Sequence, residues 1–147
     1  MPPCCGAAAN RAAMSKQITD ALSTGVNLVT SVPLPSQLNT AAVTAAVRAV
    51  ATHPTARLTA IDYGACGSAS HAFKEALKSA AAGVLTPGRA AVVQDPQLIR
   101  RFSPASAYFT CSKNPGSDGF LLPAREAGLT IIDVPTVENL RAFLGAH

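Results

Sequence analysis

From Val26 onward the apolar positions switch repeatedly between two periods: short β-branched runs, and stretches in which an apolar residue returns every three or four positions. "GVNLVTSV" (25–32) predicts a first strand, which the prolines at 33 and 35 interrupt. Ser36 stands where an N-cap is expected. Leu38, Val43, Val47 and Val50 then recur at helical spacing, with Thr40, Thr44 and Arg48 on another face, predicting an amphipathic helix over 37–52 that His53-Pro54 ends. "RLTAIDY" (57–63) predicts the second strand. Ser68 or Ser70 is the expected cap of a second helix that turns Ala69, Phe73, Ala76, Leu77 and Ala80 inward, leaves Glu75 and Lys78 outside and stops at Gly83.

The same alternation continues to the C-terminal residues. "RAAVVQ" predicts a third strand, Asp95-Pro96 opens a short helical stretch through Leu98, Ile99 and Arg101, and "SAYFTCS" predicts a fourth strand. "NPGSDG" has the composition of a loop, and "FLLPAREAG" that of an Ala-rich helix. "LTIIDV" predicts a fifth strand, its unbroken apolar run implying burial on both faces. Thr136 is the expected cap of a last helix with Val137, Leu140, Phe143 and Leu144 on one side. Strands alternating with helices over residues 25–147 predict a single α/β domain: a Rossmann-like, doubly wound, mostly parallel five-stranded sheet in three layers. Residues 1–24 are read as a flexible tail.

Composition narrows the function classes. The chain has 147 residues, 12 Lys and Arg against 8 Asp and Glu, and a net charge of +4, compatible with an anionic ligand or nucleic acid and equally common among ordinary soluble domains. Charged residues make up only 14% against an average of about 25%, so part of the surface is a plausible interface: the partner is a homo-oligomer or a larger assembly in which this chain is a non-catalytic subunit. No apolar run has the length of a membrane span. The four cysteines show neither paired zinc spacing nor a disulfide framework and read as free thiols of a reducing, intracellular, cytoplasmic setting. "MPPCCGAAANRAAMSK" carries Arg11 and Lys16 and has no acid before Asp20, a pattern shared with organelle presequences, and Met14 is a second possible start. No metal site is expected and no cofactor is indicated.

Two loops carry the candidate chemistry. Gly64 and Gly67 bracket the bend between the second strand and the second helix, and Ser68 and His71 begin that helix, where free N–H groups and the positive dipole end attract an anion. Neither the strict dinucleotide glycine motif nor the Walker motif is present. His71 supplies an imidazole, a side chain that can hydrogen-bond or exchange a proton with a phosphate or base. Asp62 could accept from a ribose hydroxyl, and Cys66 lies near a helix start. In "CSKNPGSDG" (111–119), Lys113 supplies a charge for phosphate, Ser117 and Asp118 supply polar groups, and Gly116 and Gly119 allow tight backbone paths. In a doubly wound sheet both loops lie on one edge. The expected ligand-binding set is Gly64, Gly67, Ser68, His71, Lys113, Ser117, Asp118 and Gly119; no complete acid, base and nucleophile set is visible.

These segments carry a resemblance. "DYGACGSASHAFKEAL" resembles the segment after the second strand in the SLOG superfamily of Rossmann-like proteins, especially its DprA/Smf-type members, with Gly64, Gly67, His71 and Ala76-Leu77 in the matching places. "SDGFLLPAREAGLTIIDVP" is similar to that family's late turn, helix and strand through Gly119, Ala124, Arg125, Gly128 and Val134-Pro135. Ser68 stands where the family has Asp, Asp118 where it has Ser, and Arg100 and Arg101 are what remains of its arginine-rich segment. The resemblance implies a Rossmann-like fold and a nucleotide-derived or other phosphorylated small-molecule ligand. Residues 38–77 are also similar to Alba and SpoVS-type domains, which implies the alternative of DNA/RNA binding, tested by neutralising Arg48, Arg57, Arg100 and Arg101 together.

Overall fold

A computed structural model describes residues 22, 25–62, 68–94, 96–114, 116 and 118–147. The architecture is α/β, a five-stranded, all-parallel sheet between helical layers: β1 (Asn27–Ser31), β2 (Arg57–Ile61), β3 (Ala90–Val93), β4 (Ala107–Phe109) and β5 (Thr130–Ile132) in the order β3-β2-β1-β4-β5. The expected three-layer Rossmann-like sheet is therefore what the chain forms, with every pairing parallel.

Alternation along the strands divides the core in two. On one face Leu28, Leu58, Ala60, Ala107 and Phe109 pack under α1 (Thr40–Thr52), α2 (Ser68–Ala81) and α4 (Val137–Gly145). On the other, Val29, Ile61, Val93 and Tyr108 meet Leu98 and Ile99 of the 3₁₀ segment Pro96–Arg101, Phe102 just after it, and Ala124 of α3 (Leu121–Glu126). Leu22, which the sequence places in the tail, is buried in this second cluster, and its carbonyl accepts from the Ser103 N–H at 3.1 Å. In α2, Phe73 and Leu77 are buried while Glu75 and Lys78 are exposed, as the helical spacing predicts. Gly83 follows α2 with φ +69°, a left-handed turn that glycine adopts without a Cβ penalty.

Three expectations are corrected. The first helix starts at Thr40, because Asn39 and not Ser36 is its cap: the Asn39 side chain accepts from the N–H groups of Ala41 and Ala42 at 3.1 and 3.3 Å, whereas Ser36 belongs to an exposed 3₁₀ turn, Pro35–Gln37. Asn39→Ala is accordingly expected to cost about 1 kcal/mol and Ser36→Ala almost nothing, as urea unfolding will measure. Ser68 and Ser70 lie within α2 rather than before it. β5 is an edge strand with Thr130 exposed and Ile131 and Ile132 half-buried, so its apolar run is not buried on both faces. At the far end of α1, Arg89 does what charge patterning did not anticipate: its guanidinium donates to the carbonyls of Val50, His53 and Ala56, satisfying the carbonyl end of the helix.

Candidate functional site

The chain leaves β1 for α1 on one face of the sheet and leaves β4 for α3 on the other. Strand order thus reverses between β1 and β4, and in parallel sheets of this kind the carboxyl ends flanking such a reversal are where a crevice opens. The same rim carries the carboxyl end of β2, one strand further along, so the carboxyl ends of β2 and β4 lie on one edge.

What fills this edge is a polar network on β1 and β4. Ser31, the last residue of β1, donates its hydroxyl to Asp118 Oδ2 at 2.9 Å, and the Tyr108 hydroxyl donates to the same oxygen. The Phe120 N–H donates to Asp118 Oδ1 at 2.9 Å, fixing the carboxylate from its own turn. Ser31 and Tyr108 are buried, while Asp118 is half-buried at the surface of the network. Burial, and after it the Asp118 charge, push the Tyr108 phenol far above its ordinary range, so it stays a proton donor throughout the neutral range. Cys111, at 1% exposure, is a buried free thiol; burial pushes it up to about 12, the Thr30 hydroxyl opposing and the Asp118 charge adding. A thiol held protonated in this way is no nucleophile at neutral pH.

The loop after β1 does not leave the crevice open on the α1 side. Asn39 N–H donates to the Cys111 carbonyl at 2.7 Å, Lys113 N–H donates to the Gln37 carbonyl at 2.6 Å, and Leu38 bridges Ser112. Among the described residues a hollow opens instead over the ends of β4 and β5, a cavity of about 150 Å³ that Asp118 shares with Tyr108 and Asp133.

Among the expected site residues, Asp118 is at the centre of the network, and Lys113 and Gly119 lie exposed in the same β4–α3 segment. His71 is exposed in the first turn of α2. Gly64, Gly67 and Ser117, with the Ser68 side chain, lie outside the described residues, as do Cys4, Cys5 and Cys66. Gly116 is not required for a tight path: its φ is not positive, and an added Cβ would meet nothing within 4 Å. Asp62, at the end of β2, is buried.

Ser31 and Tyr108 are not legible in the sequence as members of this network. The one sequence signal for Ser31 is a polar residue closing a β-branched strand at its carboxyl end; Tyr108 reads only as an apolar member of its strand. No protein-family model matches this sequence, and no curated protein or solved structure is significantly similar to it. Function therefore rests on the residues themselves.

No helix of the described residues is long and apolar enough to cross a membrane. The four arginines of the nucleic-acid alternative are all exposed but do not share an element or a layer. Arg48 is on α1, Arg57 opens β2 at the amino edge, and Arg100 and Arg101 end the 3₁₀ segment on the opposite side of the sheet from α1.

Proposed function

We propose that this chain binds a nucleotide or related phosphorylated small molecule at the carboxyl rim of its parallel sheet. The observation that carries the reading is the reversal of strand order between β1 and β4, with a fixed hydrogen-bond network, Ser31–Asp118–Tyr108, and a cavity beside it. Two features supply the anion-binding half. α2 has 14 residues, begins at this rim and carries no acid in its first turn, where the positive end of the helix dipole favours an anion. Lys113, exposed after β4, is a cation at the same edge. The glycines at 64 and 67 lead directly into α2 in sequence, and the SLOG resemblance points to the same ligand class.

The reading is one of binding rather than turnover. Ser31 has a carboxylate partner that already takes a second hydroxyl, and the network holds no imidazole to receive the serine proton.

A thermal-shift screen of nucleotides tests it. A true ligand at one hundred times its Kd adds about 2.7 kcal/mol, a rise of roughly 5–10 °C in Tm for a domain of this size. The shift is expected to vanish in a Gly67→Val, Lys113→Ala double variant that keeps its fold. Steep salt-dependent binding of polynucleotides without any nucleotide effect would replace this reading with the nucleic-acid one.

A further inference from the structure

The cavity over β4 and β5 is small enough to decide what part of a ligand enters it. About 150 Å³ is the room that one six-membered ring takes, whereas sites for whole drug-sized ligands run from about 300 Å³ upward. One ring of a larger molecule fits, and the rest must lie outside.

The lining decides the chemistry of that ring. Tyr108, Leu121 and Ile131 supply apolar wall, and the polar side chains are Thr110, Asp118 and Asp133. A carboxylate offers about four acceptor positions. Asp118 uses two on Oδ2, for Ser31 and Tyr108, and one on Oδ1, for the Phe120 N–H, which leaves Oδ1 one acceptor position. The hydroxyls of Ser31 and Tyr108 hold the carboxylate in place, so that position is preorganised. Asp133 is exposed and brings a second carboxylate to the same lining. Two carboxylates repel a phosphate and favour a group rich in O–H donors.

We infer that this cavity is a sugar subsite: it takes a ribose-type ring whose vicinal hydroxyls donate to Asp118 Oδ1 and Asp133, with any phosphate turned outward toward Lys113 and the start of α2. Only the placement of the phosphate rests on the function proposed above. Asp118 and Asp133 select the diol by accepting from it, and the apolar walls cover the ring's carbon face.

Calorimetric titration with ribose 5-phosphate, 2-deoxyribose 5-phosphate and inorganic phosphate tests this. Ribose 5-phosphate is expected to bind about tenfold more tightly than its 2-deoxy analogue, as a hydrogen bond to a charged acceptor implies. Asp133→Asn, a change at an exposed position, should reduce that preference severalfold without weakening inorganic phosphate. Ile131→Phe, which fills the cavity, should abolish the preference, with circular dichroism checking that the fold is kept. Equal binding of the two sugar phosphates, or a preference untouched by Asp133→Asn, overturns the subsite. If both sugar phosphates and phosphate bind alike, the subsite falls and the anion-binding reading stands. If none of the three binds but free ribose is still preferred over 2-deoxyribose by saturation-transfer NMR, the phosphate reading falls and the subsite stands. Binding of no probe overturns both.

Discussion

Asp118→Ala should lower stability by about 3 kcal/mol, the largest effect expected of any single rim substitution. Removing the carboxylate takes its acceptor oxygens away from the hydroxyls of Ser31 and Tyr108, both inside the molecule, and from the Phe120 N–H. A buried donor left without an acceptor costs about 1–3 kcal/mol. Asp118 itself is half-buried, so water admitted in its place offsets part of the sum. Tyr108→Phe should cost less, about 1–2 kcal/mol, because it removes a donor and leaves the carboxylate two others. The two changes share one hydrogen bond, so the double variant should be less destabilised than the sum of the singles by about 1 kcal/mol. Urea unfolding monitored by circular dichroism measures all three. Asp118→Ala within 0.5 kcal/mol of the parent chain would mean that the network does not hold β1 to the β4–α3 segment.

Alkaline pH should unfold the protein through two buried protons. Cys111 and Tyr108 ordinarily ionise near 9.0 and 10.0, and the fold raises both, the thiol to about 12. Both groups are therefore protonated in the folded state when the unfolded chain has already released its protons. Their contribution is complete below pH 9. It diminishes above pH 9 as Cys111 ionises in the unfolded chain, and faster above pH 10 as Tyr108 does the same. The Cys111 share levels off near pH 12. Each group adds roughly 1 kcal/mol of loss per pH unit, an effect of several kcal/mol by pH 12. Cys111→Ala should flatten the slope between pH 9 and 10, and Tyr108→Phe the added slope above 10. A parent chain whose unfolding free energy is level from pH 9 to 11 would show that these groups are solvated in the fold.

The period of the apolar positions was enough to read five strands, their order along the chain and the helices between them, because periods of two and 3.6 are local properties of backbone geometry. Local competition produced the misreadings. Ser36 and Asn39 are both good caps three residues apart, and the choice fell to Asn39 because the Asn39 N–H and the Lys113 N–H tie this loop to the segment after β4. "LTIIDV" has the composition of an interior strand, yet β5 has a neighbour on one side only, a fact of sheet order that no single strand encodes.

Of the candidate site, the sequence by itself determined that polar and glycine-bearing segments follow the second and fourth strands and that Asp118 is among them. It also determined an α/β chain whose parallel strands must send those segments to one edge. Tertiary structure alone decided that Asp118 is held by Ser31, 87 positions away, and by Tyr108, that the loop after β1 closes one side of the reversal point, and that a hollow lies over β4 and β5. The reason is physical: hydrogen bonds between distant residues depend on strand order and register, which arise from how whole faces of apolar surface pack together, and local periodicity carries no record of that choice.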